Sequence, residues 1–113
     1  MFRHIVVAET DEKALAIAEA AYVGWRNNMK FLWEWAGMVF PVPFMIPPKF
    51  SGLMEMGTAI AGTPDKVRRY IETAAAATGI SYLVCDLMFG GMPHADASRS
   101  IELFTRDVMP AFR

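Results

Sequence analysis

The sequence is short of nearly everything that usually announces a chemistry. It holds 1 cysteine, Cys85, so no internal disulfide can form, and a reducing, cytoplasmic setting is the expectation. It holds 2 histidines, His4 and His94, near opposite ends of the chain. Neither they nor Cys85 show ligand spacing, so no metal is expected. Charge of neither sign dominates: 11 Lys and Arg stand against 12 Asp and Glu, a net charge of -1. That balance offers no electrostatic case for nucleic acid or a membrane surface. Long apolar runs are missing too. The greasy stretch from Met29 to Ile60 is broken by Pro41, Pro43, Pro47, Pro48, Glu34, Lys49 and Glu55. It therefore falls short of the roughly 20 apolar residues that a membrane span needs. Met1-Phe2-Arg3-His4 leads into a short strand-like run, unlike the apolar core of a secretory signal. No GxxxxGK[ST] phosphate loop occurs, and Phe89-Gly90-Gly91-Met92 is not a dinucleotide fingerprint.

What is present suits one domain, residues 1–113. Hydrophobic residues make up 54% and charged residues 20%, slightly more apolar than an ordinary globular chain. That excess predicts apolar surface covered by something outside the chain.

Residues 3–36 read as strand then helix. Arg3-His4-Ile5-Val6-Val7-Ala8 is a β-branched run bounded by polar residues. Thr10 is placed to cap a helix whose first turn carries Asp11 and Glu12, where negative charge suits the helix dipole. Leu15, Ala18, Tyr22, Trp25 and Met29 line one face at helical spacing, and Gly37 offers a stop. Residues 37–57 show no periodicity, and their prolines forbid a continuous helix or a central strand. An irregular, apolar excursion is expected there. It is longer than structural connections usually are, which favours a functional or interface role.

Residues 58–113 read as strand-helix-strand-helix. Thr58-Ala59-Ile60-Ala61-Gly62 is a small-residue strand, and Thr63, Pro64 and Asp65 agree as a helix start. Val67, Tyr70, Ile71 and Ala74 form the apolar stripe of that helix, and Gly79 suits its left-handed end. Ile80 to Leu87 reads as a strand buried on both faces, as parallel strands are. A last helix begins near Pro93, carries Ala97, Ile101, Phe104 and Val108 inward, and ends at Pro110. Alternation of this kind predicts an α/β fold with a parallel sheet, because parallel strands need helical crossovers. Periodicity alone suits a barrel fragment and a flavodoxin-like fragment equally.

Gly62-Thr63-Pro64-Asp65-Lys66-Val67, followed by Phe89-Gly90-Gly91-Met92-Pro93-His94 and the ending Ser100 to Phe112, carries a resemblance. The order and the ending, close to an "LELFAREVMPAF" cadence, resemble the C-terminal end of luciferase-like flavin-dependent monooxygenases. Arg3 to Ala21 resembles that family's "VYVADTDEEA" strand-helix start, while the stretch from Asn27 to Glu55 departs from it. The resemblance implies the C-terminal repeats of a (β/α)8 TIM-barrel-like fold, incomplete here because such barrels take about 250 residues. It implies reduced FMN, or in one branch F420, delivered by a separate flavin reductase, with O2 and a small organic substrate. The family's first strands carry most of the flavin and catalytic contacts and have no counterpart here, so the chain is not expected to be catalytically complete, nor necessarily to hold a cofactor by itself. No catalytic residue is singled out.

Carried onto this sequence, the resemblance puts Phe89, Gly90, Gly91 and His94 near the flavin at the mouth of the barrel. The plainer reading is that two glycines make a tight turn and His94 starts a helix. Gly62 and Thr63 present backbone N–H groups at a helix start, a general anion seat that suits a flavin phosphate; plain capping is the alternative. A Cys85-His94 nucleophilic pair has little support, since a mid-strand cysteine packs as a small hydrophobe. Asp86, a carboxylate in an apolar strand, must face a cavity or find a partner, and Arg68 or Arg69 is the favoured partner. Trp25, Trp33, Trp35, Phe40, Phe44 and Phe50, with Met29, Met38, Met45, Met54 and Met56, suit an oily substrate wall or, more readily, a core or subunit contact. Open strand edges are a hazard for a lone monomer, so a homo-oligomer, most simply a dimer, is expected. The competing class is a non-catalytic assembly module of the same lineage.

Overall fold

A computed structural model describes residues 1–40 and 45–113. The expectations placed on Pro41, Pro43 and Phe44 fall outside the described residues.

Strand β1, Phe2–Val7, leads through Thr10 into helix α1, Asp11–Trp35. The Thr10 hydroxyl accepts from the Lys13 N–H, so the helix starts where the sequence places its cap. It runs on to Trp35 and ends before Gly37, whose φ of 72° is the left-handed turn that glycine adopts without penalty. A short helix α2, Phe50–Glu55, follows, then strand β2, Ala59–Gly62, and helix α3, Pro64–Thr78. Thr63 caps α3 and Gly79 closes it at φ 65°. Strand β3, Val84–Asp86, and helix α4, His94–Leu103, complete the set, with a π-type turn at Phe104–Val108 and a 3-10 turn at Met109–Phe112.

The three strands are parallel, in the order β2-β1-β3. Alternate residues of β1 enter two different cores. Val6 packs with Ala14, Ala18, Ala21 and Tyr22 of α1 and with Phe50 and Leu53 of α2. Ile5 and Val7 pack with Val67 and Ile71 of α3 and with Leu103, Phe104 and Val108. Helices therefore cover both faces of the sheet. Crossover handedness explains this: the step from β1 to β2 and the step back across β1 to β3 run in opposite directions, so right-handed connections put α1 and α3 on opposite sides.

The expected parallel α/β class is what the chain adopts. A run of consecutive barrel repeats would instead set its strands in chain order, with every helix on the outer face. Among the described residues the arrangement is the doubly wound 2-1-3 one.

Four local expectations need correction. The excursion is not wholly irregular, because α2 forms within it. Ile80 to Leu87 is not a long strand buried on both faces. Only Val84–Asp86 pairs, against Phe2–His4, and Val84 is 43% exposed. As an edge strand it has β1 on one side only. The last helix turns Ser100 inward and leaves Ile101 41% exposed, and the π turn then restores Phe104 and Val108 to the core. An extra residue in that turn shifts the register that a regular spacing assumes. Pro110 sits inside the closing 3-10 turn and does not end the helix outright.

Candidate functional site at the loop after strand β3

The loop between β3 and α4 lies with its backbone directly on α1. A methyl group at Gly24 would come within 3.3 Å of the Gly91 nitrogen, and one at Gly90 would run into the Ala21 carbonyl oxygen. Gly90 has φ 58°, so its left-handed turn and its close approach both require glycine. Phe89 is buried, stacked on Phe50 at 6.0 Å and tilted against His4 at 4.8 Å. Met92 is buried in the same core. Gly91 and His94 are exposed, and the His94 ring nitrogen lies 3.5 Å from the Ser98 hydroxyl. Of the four residues assigned to this loop, only Phe89 is buried; Gly90, Gly91 and His94 are exposed, with the Gly90 backbone seated against α1.

Beneath the loop lies a pair that the sequence reading missed. His4 Nδ1 faces Asp86 Oδ2 at 3.0 Å, away from the line of a well-formed hydrogen bond. Phe2 and Trp25 meet the His4 ring edge-on at 5.3 and 4.8 Å. Burial pushes the imidazole pKa below its ordinary 6.5, and the Asp86 carboxylate only partly offsets this. Asp86 therefore does not pair with Arg68 or Arg69. Arg68 instead reaches Asp65 and Glu72 along its own helix. The signal was available: His4 and Asp86 are the lone ionisable groups facing the same side of two apolar strands, and a parallel pairing of β1 with β3 sets them side by side.

The Gly62-Thr63 seat is filled from within the chain. Asp11 Oδ1 accepts the Thr63 N–H at 3.0 Å, and the Thr63 hydroxyl accepts from Lys66 N–H. Lys66 Nζ lies 3.6 Å from the other Asp11 oxygen. A carboxylate thus already occupies the positive end of α3, where a phosphate would compete with it.

Two further contacts fix the surroundings. At the end of β1, Glu9 accepts from Arg99 of α4 at 2.7 Å and from Lys13 at 3.2 Å. The Arg99 bond, then the backbone of Glu9 itself, then Lys13 hold this carboxyl down to about 2. On the opposite, α3 side of the sheet an apolar recess of about 540 Å3 opens between Ile71, Leu83, Phe104 and Met109. Cys85 lines it, and burial raises its thiol pKa, which disfavours the reactive thiolate. Among the described residues no cluster of three or more His, Cys, Asp or Glu could hold a metal ion, and no helix is long and apolar enough to cross a membrane.

The six sequence-nominated residues are Phe89, Gly90, Gly91, His94, Gly62 and Thr63. Phe89, Gly90, Gly62 and Thr63 are engaged in the chain's own packing and capping, while Gly91 and His94 stay open. The loop offers an outer wall, formed by Gly91 and His94, and an inner wedge, Phe89, against the His4–Asp86 pair.

No family model matches the chain. An uncharacterized protein, y4wF, of Sinorhizobium fredii (strain NBRC 101917 / NGR234), is 36% identical over 98 residues, which is 87% of this chain and 28% of that protein. The crystal structure of monooxygenase RslO1 from Streptomyces bottropensis matches 100% of this chain and 30% of its own, with a TM-score of 0.71 and 20% identity. The chain spans less than a third of either protein, and at that identity the likeness to the monooxygenase is one of fold.

Proposed function

We propose that this chain is the C-terminal α/β portion of a luciferase-like flavin-dependent monooxygenase, with its site completed by parts of a longer fold. It supplies scaffold and one loop wall, and it is not a complete catalyst by itself. The fold match across the whole chain to 30% of a monooxygenase carries the reading. The GTP and FGG-P-H segments and the PAF-type ending support it from the sequence.

When bound, reduced FMN would supply the chemistry that activates O2 toward a small organic substrate, with a separate reductase providing the electrons. F420 is the less favoured cofactor. The contribution of this chain is positional. Gly91 and His94 present backbone and a ring to whatever lies at the loop. Phe89 and the glycine contacts hold that loop rigidly on α1, as a preorganised wall requires.

The test is a titration of the isotopically labelled chain with FMN to about 1 mM, a regime that reports binding free energies down to about 4 kcal/mol. Backbone shifts confined to residues 90–95 are the expected result, together with no oxygenation by the chain alone under reduced FMN and O2. Shifts absent at that concentration, or clustered in the recess on the α3 side, would count against the loop as a flavin wall. Turnover by the isolated chain would overturn the claim that the site is incomplete.

A further inference from the structure

His4 is a titratable group sealed inside the fold, 5% exposed. All but one of the elements packed against it present uncharged side chains. Its own strand gives Phe2, α1 gives Trp25, the loop after β3 gives Phe89, and β2 sets Ala59 opposite it. The exception is β3, which gives Asp86. The carboxylate Oδ2 lies 3.0 Å from Nδ1, near enough for a hydrogen bond but out of line for one.

We propose that His4 and Asp86 form a proton-operated switch on the loop 87–93: neutral His4 leaves the loop seated on α1, and protonated His4 draws the pair into line and shifts the loop. A charge-assisted N–H···O bond favours about 2.7–2.9 Å and a nearly straight angle, so a proton on Nδ1 supplies the pull. In a close-packed interior a ring cannot turn alone. If the imidazole turns, it carries with it Phe89, which is tilted against it at 4.8 Å and stacked on Phe50 at 6.0 Å. If the carboxylate moves instead, the shift starts at Asp86, the last residue of β3 and the root of the same loop. Both routes reach Gly90, whose backbone rests on the Ala21 carbonyl. Burial holds the His4 pKa below 6.5, so the change belongs to the acid side of that value. The switch acts on the loop proposed above as a flavin wall, but it needs no flavin to operate.

The test is a pH titration of the labelled chain by NMR, without flavin, in a His94→Gln background that leaves His4 as the single imidazole. The His4 ring protons report its midpoint. Nuclear Overhauser contacts between the Phe89 and Phe50 rings, and between Gly90 and Ala21, report the loop. Both contacts are expected to weaken below the midpoint and to recover above it. Asp86→Asn keeps the imidazole but removes the pull, and should hold the contacts constant while His4 titrates; His4→Gln should hold them constant throughout. Contacts indifferent to His4 protonation would overturn the switch, even if nearby amide shifts registered the charge. So would a change that persists in either variant, or unfolding before His4 titrates. Because no flavin is present, this result and the flavin titration can fail separately.

Discussion

His4 Nδ1 and Asp86 Oδ2 stand 3.0 Å apart across two parallel strands, yet the histidine pKa is lowered. Desolvation outweighs the carboxylate beside it. The native state therefore holds the neutral imidazole better than the unfolded chain does. As pH falls through the unfolded value near 6.5, the unfolded chain takes up a proton that native His4 refuses. Stability falls with it, until native His4 titrates at its lower value. Urea denaturation from pH 8 to pH 5 should show this loss in the wild-type chain, and less of it in His4→Gln. The proton-NMR midpoint of His4 should lie below 6.5, and Asp86→Asn should lower it further by removing a group that raises it. A midpoint above 6.5 would mean that pairing outweighs burial.

Ser100 completes the β1 ladder where β3 has ended. The Val7 N–H donates to the Ser100 hydroxyl oxygen at 2.8 Å, both buried, while the next amide, Ala8, turns to Gly62 of β2. Parallel strands send successive amides to opposite sides, and on the β3 side no strand residue remains at that level. Ser100→Ala leaves a buried N–H unpaired and should cost about 1–3 kcal/mol in a denaturation experiment. Amide exchange at Val7 should quicken more than at Ile5. A loss under about 0.5 kcal/mol would show that another acceptor takes over.

The elements legible in the sequence are those whose signals are local. Thr10, Thr63-Pro64 and Gly79 cap from within a turn of the residues that they cap, and the structure places all of them as expected. What escaped depends on partners far along the chain. Helix α2 has Lys49 at its N-cap position, where the side chain makes no capping bond, so no start signal precedes it. The inward turn of Ser100 follows from an unpaired strand amide 93 residues away. The strand order β2-β1-β3 leaves no mark on periodicity, since a barrel and a doubly wound sheet alternate strands and helices alike. Of the candidate site, the glycine pair was visible, but its reason was not: Gly90 turns toward a helix carbonyl of α1.

That contact separates two neighbouring glycines. Gly90→Ala meets both a positive φ and the Ala21 carbonyl, so a cost of about 1–3 kcal/mol or more is expected, with displacement of the loop from α1. Gly91 has open space where a methyl group would sit, so Gly91→Ala should stay within about 0.5 kcal/mol of wild type. Thermal denaturation of the two variants side by side reads the difference. Equal losses would mean that the loop needs backbone freedom at both positions, and close packing would not be the cause.

Glu19 does for α2 what Lys49 cannot. From the middle of α1, its two carboxylate oxygens accept the Phe50 and Ser51 N–H groups at 2.8 and 2.9 Å. These are first-turn amides that would otherwise lack partners. Phe50, the first residue of α2, is fully buried against Tyr22 and Phe89, so this remote cap also fixes the ring beneath the candidate loop. Tyr22 adds a second tie by donating to the Pro47 carbonyl at 2.8 Å. Glu19→Ala should therefore cost about 1–2 kcal/mol, the range seen for lost caps. It should also quicken amide exchange at Phe50 and Ser51 while leaving α3 unchanged. Glu19→Gln keeps one acceptor and should lose less. If Glu19→Ala left α2 exchange untouched, burial of Phe50 and Leu53 alone would be holding the helix, and the carboxylate would be incidental.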